Sequence, residues 1–439
     1  MGVKVLKFGG SSVADAGQLR KIRGIIEADP DRRYVVVSAP GKRSSSDSKV
    51  TDLLFMLKAQ ADNNIPWESL LGVIRDRYTS IADELGIKTD LDERFEEIRT
   101  KLREGCSEAY VVSRGEYLSA ALISAYLGYD FVDTQSLIRF DQKGRLLTEE
   151  TNVRLKEELA KHERAVLPGF YGGYEDSVDV CLFSRGGSDV TGSLVARAAD
   201  ADIYENWTDV SGMLMADPRI VKDPAPIERI SYIELRELSY MGASVLHEEA
   251  VFPARMSDIP INIRNTNAPE DPGTVITNSG DAEDGKVISG IAGKPDFTVI
   301  SIYKNMMNRE IGYVRRALTV IEEAGIPFDH IPTGIDSLSM VIETSALEDK
   351  LNDVLDELKL RLKPDEISVE ENIALIAVVG RKMSRTPGVA ARICSALAQN
   401  GINIRMLNQG TGEINVIVGV EGADFEKAIR AIYAEFVKA

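Results

Sequence analysis

Apolar and polar residues follow each other along the first part of the chain in a pattern that predicts strands separated by helices. Each predicted strand is a short run that is apolar on both faces, and most are followed by residues with helical spacing. Such runs are typical of a mostly parallel sheet that helices cover on both sides. We therefore predict an α/β domain over residues 1–280, with ligands bound at the carboxyl ends of its strands. The predicted strands are Val3–Phe8, Tyr34–Ser38, Asp130–Asp133, Ala165–Leu167, Val180–Phe183 and Ile203–Asn206, and the predicted helices are Gln18–Glu27, Val50–Gln60 and Tyr117–Leu127.

Two features interrupt this alternation. Helical patterns at Pro66–Leu85 and Leu91–Glu104 lie next to each other, without a strand between them. We name this pair of helices the helical excursion and predict that it forms a lid or a dimer surface. The segment Lys42–Lys49 is polar and rich in serine, which is typical of a flexible loop. The alternative for this loop is that it closes over a bound substrate.

Residues 265–274 are rich in Pro, Asn and Gly, and with the acidic residues 281–284 they predict a domain border. Beyond it, two stretches read β-α-β-β-α, the ferredoxin-like order, so we predict small domains at 290–365 and 370–439. Neither contains a reactive constellation, which favours regulation or assembly. The predicted strands are Phe297–Tyr303, Phe328–Ile331, Ser337–Ile342, Ile373–Val379, Ile402–Leu407 and Ile414–Val418, with helices at Gly312–Glu323, Leu347–Leu360, Val389–Ala398 and Phe425–Val437.

Composition narrows the possible functions. A formal net charge of −17 argues against a general nucleic-acid binder, which would use a basic surface to displace counterions. No apolar run approaches the roughly 20 residues that span a bilayer, so we expect no membrane association. We expect no signal peptide, because Met1–Phe8 is short and runs straight into Gly-Gly-Ser-Ser, and the three scattered cysteines fit a reducing cytoplasm. With three histidines it has little material for a metal site or a Ser-His-Asp triad.

The first candidate for chemistry is the turn Lys7-Phe8-Gly9-Gly10-Ser11-Ser12. A Gly-Gly pair directly after a buried strand lets the backbone approach a phosphate, and the following helix adds its positive end. Lys7 can reach the β- and γ-phosphate oxygens of a nucleotide as a point charge. Spacing alone leaves a purely structural turn as the alternative.

A second Gly-Gly turn, Arg185-Gly186-Gly187-Ser188-Asp189, also follows a predicted strand. Arg185 can hold a substrate carboxylate with two hydrogen bonds. Asp189 can position Lys7, or it can cap the following helix. Both alternatives remain open at this level.

Two further segments carry polar residues at element ends. Glu116 precedes the predicted helix Tyr117–Leu127, where it either recognises an amino group or complements the helix dipole. Thr208, Asp209 and Arg219 follow the last predicted strand, and we interpret them as a nucleotide loop, with Asp209 towards the ribose or adenine and Arg219 towards phosphate. As isolated residues they would be ordinary loop residues.

Taken together, these motifs resemble the aspartate kinases of the amino-acid-kinase superfamily across nearly the whole chain. The similarity extends in order over KFGGSSV, VVVSAPG, SRGE, FSRGGSDVTGSLVA, WTDVSG, DPRIV, LSYMGASVLH, IRNTNAPEDPGT and VGRKMSRTPGVAARICSAL. The resemblance implies a three-layer amino-acid-kinase domain with a mostly parallel central sheet, followed by two ferredoxin-like ACT domains.

The resemblance also implies roles for single residues. Lys7, Asp189 and Arg185 would be catalytic, Lys7 by stabilising the transferring phosphoryl group. Glu116 would bind the ammonium group of L-aspartate, and Arg185 would bind a carboxylate. The other implied substrate-binding residues are Ser38, Thr51, Gly186, Gly187 and Ser188, and the implied ATP-binding residues are Lys7, Phe8, Gly9, Gly10, Thr208, Asp209 and Arg219.

The implied reaction is phosphorylation of the β-carboxylate of aspartate by ATP, the entry to lysine, threonine and methionine synthesis. A carboxylate with a reference pKa near 3.9 is already ionised at pH 7, so positioning and charge neutralisation should suffice. Mg²⁺ would bind chiefly through ATP oxygens, so no all-protein metal site is expected.

The ACT-like pair implies homo-oligomers, at least dimers, and feedback by lysine, threonine, both or neither. Residues near the implied effector site are Met307, Gly312, Tyr313, Val314 and Asp329, which as a set could equally be loop and core.

This chain departs from the family at three positions. Many members have Lys at the position of Ser244 and Tyr at that of Leu214, so those nucleotide contacts are not transferred. Glu248 replaces a common Pro. Two other functions remain as alternatives: a related kinase acting on glutamate, acetylglutamate or a nucleotide, and a non-catalytic amino-acid sensor with a decayed kinase domain.

Overall fold

A computed structural model describes residues 2–175, 177–184, 186–243, 246, 248–279, 286–410 and 414–437. The chain forms two compact units, and neither is one continuous segment. The first comprises Met1–Met213, Pro226–Leu235 and Val245–Glu283, and the second Leu214–Ala225, Arg236–Ser244 and Asp284–Ala439. The domain borders expected from the sequence stay a prediction.

The elements up to residue 279 follow the predicted alternation of strands and helices. The strands are β1 Lys4–Phe8, β2 Arg32–Val37, β3 Asp130–Phe131, β4 Arg139–Phe140, β5 Ala165–Pro168, β6 Tyr171–Tyr174, β7 Val180–Leu182, β8 Ile203–Thr208, β9 Met213–Leu214, β10 Pro226–Ile227, β11 Arg229–Ser231, β12 Ile261–Asn265 and β13 Thr274–Thr277. The helices are α1 Ala16–Glu27, α2 Val50–Asp62, α3 Glu68–Leu85, α4 Leu91–Glu104, α5 Glu108–Leu127, α6 Thr148–Leu159, α7 Gly187–Ala198, α8 Tyr232–Tyr240 and α9 Glu248–Met256.

An eight-stranded sheet organises the first unit in the order β11-β13-β12-β8-β1-β2-β5-β3. Neighbouring strands pair in parallel except β12 and β13, which run antiparallel. The fold class predicted from the sequence is therefore confirmed. Because β1 is central, the turn that follows it lies at the middle of the carboxyl edge, where such sheets bind ligands.

Alternation along β1 sends successive side chains to opposite faces of the sheet. Leu6 and Phe8 pack into the apolar core formed with α1 to α5. Lys7, on the other face, meets Asp189 of α7. This alternation explains how a lysine can occupy a buried strand without disturbing the core.

A buried ion pair crosses the sheet between β2 and β8. Arg32 donates two hydrogen bonds to Glu205, from Nε at 2.9 Å and Nη2 at 3.0 Å, and Trp207 Nε1 donates to the same carboxylate at 3.0 Å. Arg264 of β12 lies over the Trp207 ring at 4.6 Å. Full pairing is what makes buried charge tolerable at this position.

The expectation for Val180–Phe183 is corrected. This run forms β7, which belongs to a separate three-stranded sheet in the order β4-β6-β7 and pairs antiparallel with β6. An apolar run indicates burial but not the sheet to which it belongs. Gly172 of β6 permits the close packing here, since a Cβ there would lie 2.4 Å from the carbonyl oxygen of Ile138.

In the second unit, the two predicted repeats share one antiparallel sheet with the order β15-β14-β16-β18-β17. The 14-residue strands β14 and β16 pair with each other and join the repeats. The strands are β14 Gly290–Tyr303, β15 Ser337–Glu343, β16 Glu366–Val379, β17 Met406–Asn408 and β18 Asn415–Glu421, and the helices are α10 Tyr313–Glu323, α11 Thr344–Leu347, α12 Leu351–Leu362, α13 Val389–Gln399 and α14 Phe425–Val437.

The predicted strand Phe328–Ile331 was wrong. Only isolated bridges form there, between His330 and Val341 and between Thr333 and Leu338. Pro327 and Pro332 flank the segment, and proline cannot donate to a ladder, which confines pairing to single bridges.

Candidate active site

Backbone contacts hold the turn after β1 against β8 and against the segment that follows β2. Gly9 donates to the carbonyl oxygen of Trp207 at 3.0 Å, and Gly41 donates to that of Gly10 at 2.8 Å. A Cβ on Gly41 would lie 2.8 Å from the Gly10 carbonyl carbon, so any larger residue would push the two turns apart. These turns form one wall of a cavity at the carboxyl edge of the sheet.

Lys7 projects into this cavity and forms an ion pair with Asp189, with 2.5 Å between Nζ and Oδ1. Asp189 lies in the first turn of α7, after Gly186 in the left-handed conformation (φ +59°). The Gly187 position is also crowded, because a Cβ there would lie 2.7 Å from the Phe170 ring. The second Gly-Gly turn therefore places Asp189 next to Lys7. This is the arrangement expected if Asp189 positions Lys7, the first of the two interpretations given for this residue.

Asn206 is a site residue that sequence reasoning missed. It is paired in register with Lys7 across β1 and β8, and its Nδ2 donates to Asp189 Oδ1 at 2.8 Å. Tyr204 donates from its hydroxyl to the Asp189 carbonyl oxygen at 3.2 Å. An amide in an otherwise buried strand, on the same face as Lys7, was the signal available in the sequence.

The expected position of Glu116 at a helix start is corrected. Helix α5 begins at Glu108, after Ser107, whose hydroxyl accepts from the Tyr110 amide at 3.2 Å, so Glu116 lies in its middle. The glycine before it does not end the helix. It allows close packing instead, because a Cβ on Gly115 would lie 2.8 Å from that of Ala39. The helix-dipole interpretation of Glu116 therefore does not apply.

Glu116 is a buried carboxyl group with one oxygen satisfied. Oε1 accepts from the Ala39 amide at 3.1 Å, and Oε2 has no hydrogen-bond partner among the described residues. Burial raises the pKa of Glu116 to about 8, against the opposing effect of the Ala39 hydrogen bond. A buried acceptor without a donor is costly, and a ligand ammonium group would supply the missing donor.

The cavity has a volume of about 610 Å³ and contains both predicted hydroxyl residues, Ser38 and Thr51. Asp209 also reaches it, while Thr208 ends β8 next to Asp209. The side chain of Phe8 does not, because it is fully buried and stacks on Trp207. The lining residues are Lys7, Gly10, Ser11, Ser38, Ala39, Pro40, Gly41, Lys42, Lys49, Thr51, Glu116, Phe170, Gly186, Gly187, Ser188, Asp189 and Asp209.

Two residues named in the sequence analysis, Arg185 and Ser244, lie outside the described residues, so the role of Arg185 stays a prediction. Arg219 belongs to the second unit, where it is exposed and pairs with Asp217 at 2.6 Å. It lines a cavity of about 600 Å³ together with Leu214, and its role towards phosphate stays a prediction.

The predicted effector residues are divided between core and surface of the second unit. Met307 and Tyr313 are buried in the core of the first repeat. Gly312 precedes α10 in the left-handed conformation (φ +78°), and Val314 packs against the same core. Asp329 accepts a hydrogen bond from the Tyr240 hydroxyl at 2.6 Å. Their role as an effector site stays a prediction.

The residues that the structure describes contain no group of three or more His, Cys, Asp and Glu side chains arranged to hold a metal ion. None of the helices formed by these residues is long and apolar enough to cross a membrane.

The chain is similar in sequence to known protein families. The sequence profile of the Amino acid kinase family matches residues 2–265, and an ACT domain profile matches residues 376–436. Aspartokinase 3 of Bacillus subtilis is 40% identical over 99% of this chain and 98% of its own length.

Solved structures extend the similarity to three dimensions. The crystal structure of Clostridium acetobutylicum aspartate kinase has a TM-score of 0.92 and 48% identity, covering 99% of this chain and 100% of that one. Aspartokinase III of E. coli in complex with aspartate and ADP gives 0.73 and 26%, and in complex with lysine and aspartate 0.74 and 27%, with 99% of both chains covered in each case. This chain belongs to the aspartokinase family.

Proposed function

We propose that this chain transfers the γ-phosphoryl group of ATP to the β-carboxylate of L-aspartate, giving 4-phospho-L-aspartate and ADP. The observation that carries the proposal is one cavity with two complementary features. The Lys7–Asp189 pair beside the glycine turn suits a phosphoryl group, and the unsatisfied oxygen of Glu116 suits an ammonium group. The family relatives named as aspartokinases support the same substrates.

The reaction needs no base to activate its nucleophile. One oxygen of the ionised β-carboxylate forms a bond to the γ-phosphorus while the bond from that phosphorus to the ADP oxygen breaks, and ADP keeps the electron pair. Lys7 and the backbone N–H groups of the glycine turns neutralise charge on the transferring group. Catalysis is then mainly a matter of positioning.

Lys7 must exchange one anionic partner for another during this step. In the free protein its ammonium group is neutralised by Asp189. When Lys7 turns towards the γ-phosphate, Asn206 still donates to the Asp189 carboxylate and holds it in place. Asn206 is thus a positioning residue that keeps the exchange from leaving a partly buried carboxylate without a donor.

Glu116 selects a substrate with a free ammonium group. The ammonium group donates to Oε2, which favours the ionised carboxylate, so binding of aspartate displaces the proton that Glu116 holds at neutral pH. Ser38 and Thr51 line the cavity and can donate to the substrate carboxylates.

Mg²⁺ would accompany ATP and would be held chiefly through the nucleotide's phosphates. Asp189 and Asp209 line the cavity and would offer carboxylate oxygens to the ion. The ion would supply additional neutralisation of phosphate charge.

Regulation and assembly belong to the second unit. We propose that it binds an amino-acid effector, lysine or threonine, and that its repeats join copies of the chain into a dimer or higher oligomer in the cytoplasm. The lysine complex of E. coli aspartokinase III supports the effector class. The unpaired thiols of Cys106, Cys181 and Cys394 fit a reducing compartment.

A coupled ADP-release assay tests the proposal across aspartate, glutamate and acetylglutamate, with and without lysine and threonine. We expect release with aspartate alone among the three acceptors. Release with another acceptor would identify a related kinase, and no release with any acceptor would favour an amino-acid sensor.

A further inference from the structure

The loop that joins β2 to α2 is closed at its base. Val50 donates to the Pro40 carbonyl oxygen at 3.0 Å, which brings the two ends of residues 41–49 together. Gly41, at its start, donates to the carbonyl oxygen of Gly10 in the glycine turn. This segment, which we name the 41–49 loop, is therefore fixed at its base to the cavity wall formed by the glycine turn.

An arginine from the helical excursion holds the body of this loop. Arg77 of α3 is buried, donates from Nη1 to Asp47 Oδ2 at 2.5 Å and from Nη2 to the Gly41 carbonyl oxygen at 2.6 Å. Asp47 also accepts from the backbone amide of Arg43 at 3.0 Å and from its Nε at 2.9 Å. The serine-rich segment is thus anchored from within the loop and from a neighbouring helix.

Asp47 and Arg77, which together anchor the loop, remain charged over the physiological pH range. Hydrogen bonds from the Arg43 side chain and backbone, followed by those from Arg77, hold the pKa of Asp47 well below its usual range. Since an arginine remains protonated, both partners keep their charge at any working pH.

The anchored loop presents two lysines to the cavity. Lys42 and Lys49 both line it, and neither forms an ion pair with a described residue. The third lysine of the cavity, Lys7, is already neutralised by Asp189. The described lining therefore offers two uncompensated cations, at a site whose substrates, ATP and aspartate, are anions.

We propose that Lys42 and Lys49 bind an anionic oxygen of the substrate pair, and that Asp47 and Arg77 are positioning residues that hold the loop bearing them. The anionic oxygen belongs either to a carboxylate of aspartate or to a phosphate of ATP. The proposal rests on the proposed function, and it gives the helical excursion a role as the support of the substrate loop instead of a moving lid.

Lysine variants test the binding part of this proposal in the full chain. Lys42→Ala and Lys49→Ala should each raise one KM about tenfold, the effect of losing a hydrogen bond to a charged group, with a smaller change in kcat. A rise in the KM for aspartate identifies a carboxylate, and a rise in the KM for ATP identifies a phosphate. Lys49→Arg should retain the wild-type values, and unchanged KM values in the double variant Lys42→Ala/Lys49→Ala would overturn the proposal.

Anchor variants test the positioning part. Asp47→Asn and Arg77→Met should each raise the same KM as the lysine variants, and the double variant should be less affected than the sum of the two single effects, because the Arg77–Asp47 contact is shared. The matched control is Arg75→Met on the same helix as Arg77, which removes an exposed ion pair with Asp92 of α4 and should leave both KM values unchanged. If Arg77→Met does not fold, Asp47→Asn carries the test alone. Wild-type KM values in Asp47→Asn would overturn the positioning role.

Salt dependence separates charge from packing. In the wild type, raising the ionic strength should weaken binding of the anion, and the double lysine variant should show a shallower dependence. Equal slopes would overturn the electrostatic role. Wild-type activity with aspartate is measured first, so that failure of the proposed function is distinguished from failure of the loop proposal in an active enzyme.

Discussion

The two units treat buried charge in opposite ways. Among the described residues, all buried charged side chains belong to the first unit, and the second unit buries only two polar side chains, Thr298 and Asn415. Its central strand β16 ends in seven consecutive buried apolar residues, Ile373–Val379. The buried charged residues of the first unit are Lys7, Arg32, Lys58, Arg77, Arg114, Glu116, Glu205 and Glu234.

This contrast identifies the first unit as the one in which buried charge can lower the free energy of unfolding. Burying a charge is unfavourable unless it is fully paired. Arg32 and Glu205 meet that condition, whereas Glu116 does not, because one of its oxygens has no partner. An incompletely satisfied group at a cavity is typical of a site completed by its ligand, and the apolar sheet of the second unit is typical of a scaffold.

The largest effect is expected from removing Lys7, one of the buried charged residues of the first unit. Lys7→Ala should lower kcat by about 10³-fold, since a preorganised donor to the transferring group is lost. The KM for aspartate should change little, because Glu116 and Ser38 remain. Steady-state ADP release measures both quantities. The control is Lys4→Ala on the same strand, which removes only the pair with Asp29 and should keep the wild-type kcat. A Lys7→Ala variant with unchanged kcat would contradict the mechanism.

Removing one member of the buried ion pair in the first unit should lower the free energy of unfolding more than a change in the apolar core of the second unit. Glu205→Gln should reduce the free energy of unfolding by about 3 kcal/mol, because Arg32 is left buried without its counter-ion. Ile376→Val in β16 is the comparison and should cost about 1 kcal/mol. Urea unfolding measures both. Equal losses would show that the buried ion pair is not special.

The binding of aspartate should depend on pH through Glu116. The pKa of Glu116 in the free protein is about 8, and the ammonium group of aspartate requires the ionised form. Below pH 8 the KM for aspartate should therefore fall about tenfold for each unit by which pH rises, and it should level off above pH 8. Glu116→Gln should give a high KM that does not depend on pH in this range. A wild-type KM that is constant between pH 6 and 8 would contradict this role.

The smallest of these effects is expected from Asn206. Asn206→Leu removes the amide that donates to Asp189 and should lower kcat about tenfold. The KM for aspartate should stay near the wild-type value, whereas a general disturbance of the site would change KM as well. A parallel change in both constants would reject the positioning role.

Much of the fold could be predicted because periodicity is local information. Helices α4 and α14 have the predicted bounds, Leu91–Glu104 and Phe425–Val437, since an uninterrupted amphipathic pattern defines both ends. The sheet assignment of Val180–Leu182 could not be predicted, because it depends on the partner strand β6. The extension of β14 and β16 to 14 residues also depends on their pairing with each other.

The site could be predicted only in part, because some of its contacts join residues that lie far apart in the sequence. Lys7, Asp189 and Glu116 stand in recognisable motifs, and the structure brings them to one cavity. Asn206 and Arg77 carry no motif. Their contacts with Asp189 and Asp47 span 17 and 30 residues, and they depend on strand register in one case and helix packing in the other. Polar residues in otherwise buried segments were the signal that sequence reasoning overlooked.

The most direct test of the central claim is a chemical trap for the product. Hydroxylamine converts an acyl phosphate into a hydroxamate, so it reports a phosphorylated carboxylate specifically. With ATP and Mg²⁺ present, the chain should form hydroxamate from L-aspartate and almost none from N-acetyl-L-aspartate, which lacks the ammonium group that Glu116 accepts. Absence of hydroxamate from aspartate, or equal yields from the two compounds, would contradict the account.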